Sequence, residues 1–182
     1  MTRRCVTDEQ YGRLCRRTGE LARLSWKVWK TIQIGTGLKT ADEFRQTLKD
    51  GGFKISDWAN DIMGKPGFSI SSEKIELDLV VVSVADLGFP DGAKLDQIYK
   101  RAKSLGLALC PPEVGPQLRL QYKDQPKGEW LRVAMEPIID SVGDPFVFFV
   151  VHVDGVLLLN TYYDISGSVW SPGYRWVFVL RK

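Results

Sequence analysis

Within "LCPPEVGPQLRLQY", residues Leu109 to Tyr122, a thiol, a carboxylate, an arginine and two glutamines fall close together. Read as an alternating strand, the segment sends Leu118, Leu120 and Tyr122 to one face and Gln117, Arg119 and Gln121 to the other. Arg132 and Glu136, on the next alternating run "EWLRVAME", extend that polar row across a strand pair. Arginine suits a phosphate or carboxylate, and glutamine an amide or base edge. Pro111, Pro112 and Pro116 stiffen the approach, so Glu113 stands on a rigid platform. The expected ligand-binding set is therefore Glu113, Gln117, Arg119, Gln121, Arg132 and Glu136. On this reading Arg119 points outward and is replaceable at little cost to stability.

Covalent chemistry has thinner support. Cys110 as nucleophile would need His152 beside it and Asp154 as orienter. Glu113 and Glu136 supply the residue types for a carboxylate pair. Spacing fixes neither arrangement, so catalytic residues stay unassigned. The chain carries no GxSxG, phosphate-loop, HExxH or dinucleotide glycine pattern. Cys5, Cys15 and Cys110 follow no CxxC spacing, and His152 is the single histidine, so no metal site and no cofactor are expected. Cys110, flanked by Leu109 and two prolines, reads as a buried, inert thiol.

Charge offers a second class of function. The net charge of +3 is uneven: 12 Lys and Arg against 7 Asp and Glu fall in residues 1–60, and the rest is slightly acidic. Arg13, Arg16, Arg17, Arg23, Lys27 and Lys30 form a basic stripe on a helix expected over Asp8–Ile32. Such a stripe grips a phosphate backbone without reading sequence. The later helix "SDWANDIM" would turn Asp57 and Asp61 toward phosphates, which argues against a groove-reading helix-turn-helix. Nucleic acid is expected to bind weakly at most.

The elements that must position these residues follow from periodicity. After the first helix, Thr40 caps a second, with Glu43 completing a capping box, Phe44 and Leu48 inward, and Gly51–Gly52 as its stop. A third helix follows Ser56, with Trp58 and Ile62 inward. "KIELDLVVVSV" changes to strand period, and "AKLDQIYKRAKSLG" returns to helix before the remaining strands. Asp154-Gly155 joins "FVFFVVHV" to "VLLLNTYY" as a hairpin, and "YRWVFVLR" closes the series. Tyr162, Tyr163, Trp170, Tyr174 and Trp176 gather around the loop "ISGSVWSPG", an aromatic concentration suited to an interface. The expected fold is α+β: N-terminal helices followed by a mainly antiparallel sheet with one inserted helix. Residues 1–66 form a helical region and 67–182 the sheet domain, packed as one unit.

The block from "LGFPDG" through "CPPEVGPQLRLQY" to the terminal "WVFVLRK" resembles a family of uncharacterised bacterial proteins. The resemblance implies one bacterial domain over most of residues 50–182 and supplies no activity. No leader segment follows "MTRRCVTDEQ" and no apolar run reaches membrane length, so a cytoplasmic location is expected. The preferred reading is a cytosolic module that binds a protein or small-molecule ligand. The alternatives are a nonspecific nucleic-acid-associated protein using the first helix, and a cysteine- or carboxylate-dependent enzyme.

Overall fold

The structure, a computed structural model, describes residues 26–163 and 167–181. Among the described residues the first regular element is a strand, β1 (Lys30–Ile34), and not the end of a helix. Ile32 and Ile34 point into the core while Thr31 and Gln33 alternate with them. Isoleucine and threonine are stiff at χ1 and favour the pleated backbone, and β3 (Ile75–Ser83) offers its edge in antiparallel register. The helix expected over Asp8–Ile32 is therefore wrong at its C-terminal end. The remainder of it, with Arg13, Arg16, Arg17 and Arg23, lies outside the described residues.

Among the described residues four short helices interleave with nine strands: α1 (Ala41–Asp50), α2 (Asp57–Met63), α3 (Leu95–Ser104) and α4 (Val114–Gln121). The expected order, helices first and sheet afterwards, is overturned. The composition is mixed α and β, and the sheet dominates. Its path runs β1, β3, β9 (Arg175–Leu180), β5 (Trp130–Val133), β7 (Pro145–Val153), β8 (Val156–Tyr163) and β2 (Lys54–Ile55). Two short strands lie off it, β4 (Leu107–Ala108) on β9 and β6 (Ile138–Ile139) on β7. Pairing is antiparallel except at β5–β9 and β2–β8.

Local rules hold where their chemistry is complete within a few residues. Thr40 accepts from the Glu43 backbone N–H at 3.1 Å, and Glu43 reaches back to the amide of Lys39. Ser56 caps α2 through the Ala59 amide at 3.2 Å. Asp154 and Gly155 both take positive φ, 51° and 75°, as the tight β7–β8 turn demands. Trp58 departs from expectation. It is 50% exposed, stacked on Phe146 by one face with the ring centroids 5.5 Å apart.

The buried run of β7 faces two layers. Phe148 meets α4 and the Phe68 ring, which in turn contacts Phe44 of α1. Phe149 points the other way, onto Trp130 and Tyr162. The second face also carries α3, whose Tyr99 packs edge-on against Trp176 and Phe178 of β9. A fully apolar strand in a two-sided sheet is what this arrangement requires.

Candidate functional site

The segment expected as a polar strand is helix α4. Alternation misled because α4 is enclosed on nearly every side: Val114, Gly115, Pro116, Gln117, Leu118 and Arg119 are all buried. A helix without a solvent face has no amphipathic period, so its polar positions are set by internal partners. Pro111 and Pro112 precede the helix and Pro116 sits in its first turn, where a missing N–H costs little. Gly115 permits the seating. A Cβ there would lie 2.5 Å from a ring carbon of Phe148.

Glu113, Gln117 and Gln121 follow one another at four-residue steps and share a face of the helical turn. Glu113 accepts from the backbone N–H groups of Gly35 and Ser71, each at 2.8 Å. Gln117 donates to Thr36 Oγ1 at 2.7 Å and to Glu113 at 3.0 Å. Gln121 accepts from the Gln33 amide at 2.9 Å and donates to the Gln33 carbonyl at 2.7 Å. Its amide imitates a neighbouring strand and saturates part of the outer edge of β1. Glu113 and Gln121 therefore hold the protein's own backbone, and Gln117 links the two.

Arg119 is fully buried, not outward. It donates to Gln125 Oε1 and to the Tyr122 carbonyl, and lies over the Phe53 ring. Burial draws its pKa down to about 10, against an opposing contribution from Tyr122. Glu136 stands apart on the surface, its carboxylate 4.0 Å from Lys103 Nζ. The continuous row expected from Gln117 to Glu136 is not formed.

Arg132 has different surroundings. It is 5% exposed and its guanidinium carbon lies 3.8 Å from the Tyr174 ring centroid, 5.0 Å from Tyr162 and 5.8 Å from Trp170. Its Nε finds no acceptor among the described residues, and no carboxylate there forms an ion pair with it. Burial lowers its pKa, opposed by the two tyrosines. Cation–π contacts offset part of that burial without supplying an oxygen.

Arg132 forms part of the wall of a cavity of about 740 Å³. It is open to solvent and bordered by the strand ends of β5, β8 and β9 and the turn before β5, which bring Lys127, Glu129, Trp130, Tyr162, Tyr174 and Arg175 together. Glu129 is already engaged, by Arg175 and by the Tyr122 hydroxyl, each at 2.7 Å. Tyr162 is raised above its ordinary pKa by a hydrogen bond with Tyr174 and by burial. The aromatic concentration noted at the C-terminal end and the arginine of β5 thus belong to one place. Sequence reasoning missed Lys127, Glu129, Trp130 and Arg175, which carry no motif. Parallel pairing of β5 with β9 is what joins them, and no local pattern encodes it.

The remaining expected groups are separated. Cys110 is buried with its thiol 3.4 Å from the Val177 carbonyl, and burial pushes its pKa well up. His152 Nδ1 lies 2.6 Å from the Gln125 carbonyl. Lys30, on β1, sits 4.9 Å from the Tyr122 ring and 3.8 Å from Asp124, and Lys27 is exposed. Among the described residues no group of three His, Cys, Asp or Glu is placed to hold a metal ion, and no helix is long and apolar enough to cross a membrane.

Comparison of the chain with family models, with curated proteins and with solved structures returns no match.

Proposed function

We propose that this protein is a ligand-binding module whose site is the Arg132 cavity and whose ligand carries an anionic group. The observation that carries the reading is an arginine, nineteen parts in twenty buried, lining a cavity with aromatic faces around it and no carboxylate partner among the described residues. Buried charges are ordinarily paired, and a cation held without its anion implies an anion supplied from outside. Lys127 and Arg175 add positive charge to the same wall, and its one carboxylate, Glu129, is taken up by Arg175 and Tyr122. The indole N–H groups of Trp170 and Trp176, whose rings lie 4.8 Å apart in the adjoining aromatic cluster, also find no acceptor among the described residues. A volume of about 740 Å³ is in the range of small-molecule sites. The cytoplasmic, bacterial setting belongs to this proposal, supported by the buried, unpaired Cys110 and the sequence block around it.

Calorimetric titration with inorganic phosphate, in wild type and in Arg132→Met, tests the reading. Methionine keeps a long unbranched side chain and removes the charge. Binding in the wild type that falls at least about tenfold in Arg132→Met is expected, a loss of about 1.4 kcal/mol or more. Equal affinity in the two proteins would place any bound anion elsewhere.

A further inference from the structure

Resting on the anion reading of the Arg132 cavity, we infer that the ligand is a mononucleotide-like molecule, with a phosphate held by the cations and a planar heteroaromatic ring stacked on Trp130. Two features of the wall lead to this class. The first is charge. Lys127, Arg132 and Arg175 face one carboxylate, and that carboxylate is already bonded to Arg175 and the Tyr122 hydroxyl. A surplus of two positive charges matches a phosphate monoester dianion better than a single carboxylate. The planar arginine fork also fits phosphate oxygens in pairs.

The second feature is Trp130. It lines the cavity, is 43% exposed, and its inner face stacks on Phe149 with 5.1 Å between centroids and 18° between planes. Phe149 is buried, so the indole is backed by a fixed ring while its other side stays accessible. A large aromatic surface held in this way is a stacking platform. Tyr174 does not compete for that role, because Arg132 occupies its face at 3.8 Å. The ring platform and one of the cations belong to the same strand, β5, with Trp130 and Arg132 two residues apart on one face. A phosphate and a ring on one small molecule bridge that separation. The cavity volume suits one nucleotide, not a run of them.

Calorimetric titrations with inorganic phosphate, adenosine monophosphate, uridine monophosphate, adenosine and a single-stranded oligonucleotide separate the possibilities. The monophosphates are expected to bind at least about tenfold tighter than inorganic phosphate, and adenosine weakly. Trp130→Ala should remove that margin while leaving phosphate affinity within about twofold, and Trp130→Phe should restore most of it. Circular dichroism of both variants confirms that they fold, as a half-exposed position allows. Monophosphates no tighter than phosphate, or a margin that survives Trp130→Ala, would overturn the ring inference and leave the anion site standing. Failure of every phosphate-bearing probe would overturn both. An oligonucleotide binding more than about tenfold tighter than the monophosphates would make this a polymer site and overturn the mononucleotide assignment.

Discussion

Two arginines are buried in this molecule without a carboxylate among the described residues, and they are buried differently. Arg119, on α4, is surrounded by oxygens of the protein itself: the Tyr122 carbonyl and the side chain of Gln125. Gln125 in turn donates to the carbonyls of Glu129 and Val150. Arg132, on β5, is surrounded by rings and borders a cavity. In the first region the chain answers both terminal nitrogens of the guanidinium from within, and only Nε is left without an acceptor among the described residues. In the second it has left a cation for which no hydrogen-bond acceptor is found among the described residues. The same residue type is a structural tie in one place and, on the function proposed above, a binding group in the other, and the distinction lies in the acceptors around it.

The sharpest way to break that comparison is to replace both arginines by methionine and measure urea unfolding. Arg119→Met strips the donor from two buried acceptors, so it should destabilise by roughly 2–4 kcal/mol. Arg132→Met orphans no hydrogen-bond acceptor identified in the structure and removes a desolvated charge. Replacing a buried charge with an apolar group of similar length is often neutral or stabilising, so its change should stay within about 1 kcal/mol or favour the folded state. Equal destabilisation in both variants would show that Arg132 is as much a structural residue as Arg119.

A smaller effect probes how tightly each region is packed. Gly115→Ala places a methyl 2.5–2.8 Å from the Cβ and inner ring carbons of Phe148, which are the near end of that side chain and cannot swing away. The expected cost is about 1–3 kcal/mol in thermal or urea unfolding. Gly173, in the cavity wall, is the counterpart. A Cβ there meets nothing within 4 Å, so Gly173→Ala should cost less than about 0.5 kcal/mol. If the two variants melted alike, α4 would not be seated on β7 as described.

The two regions also differ in how far the sequence disclosed them. Capping at Thr40 and Ser56, the Asp154-Gly155 turn and the apolar run of β7 were legible, because a few neighbouring residues complete each device. The strand reading of "QLRLQY" failed because burial on all sides erases the contrast on which periodicity depends. A signal was nonetheless present in the four-residue spacing of Glu113, Gln117 and Gln121, together with three prolines ahead of or within a first helical turn. Of the expected ligand-binding residues only Arg132 lines the cavity. Its neighbours come from β8, β9 and the turn before β5, so the site depends on strand order, which pairwise spacing along the chain does not carry.

A local effect bears most directly on what the glutamine ladder does. If Gln121 stands in for a missing strand, its loss should be felt at the edge of β1 and hardly in the global transition. Gln121→Leu removes the acceptor of the Gln33 amide and the donor to the Gln33 carbonyl. Gln121 is only half-buried, so water can reach those groups, and the expected global loss is about 1 kcal/mol. Native-state hydrogen exchange should nevertheless show the Gln33 amide losing protection, by opening locally instead of with the whole domain. The Gly35 amide is the internal control, because Glu113 holds it independently and should keep it protected in the same variant. Unchanged protection at Gln33 would mean that something other than Gln121 shields this edge. Loss at Gln33 and Gly35 together would mean that the ladder acts as one cooperative unit through Gln117.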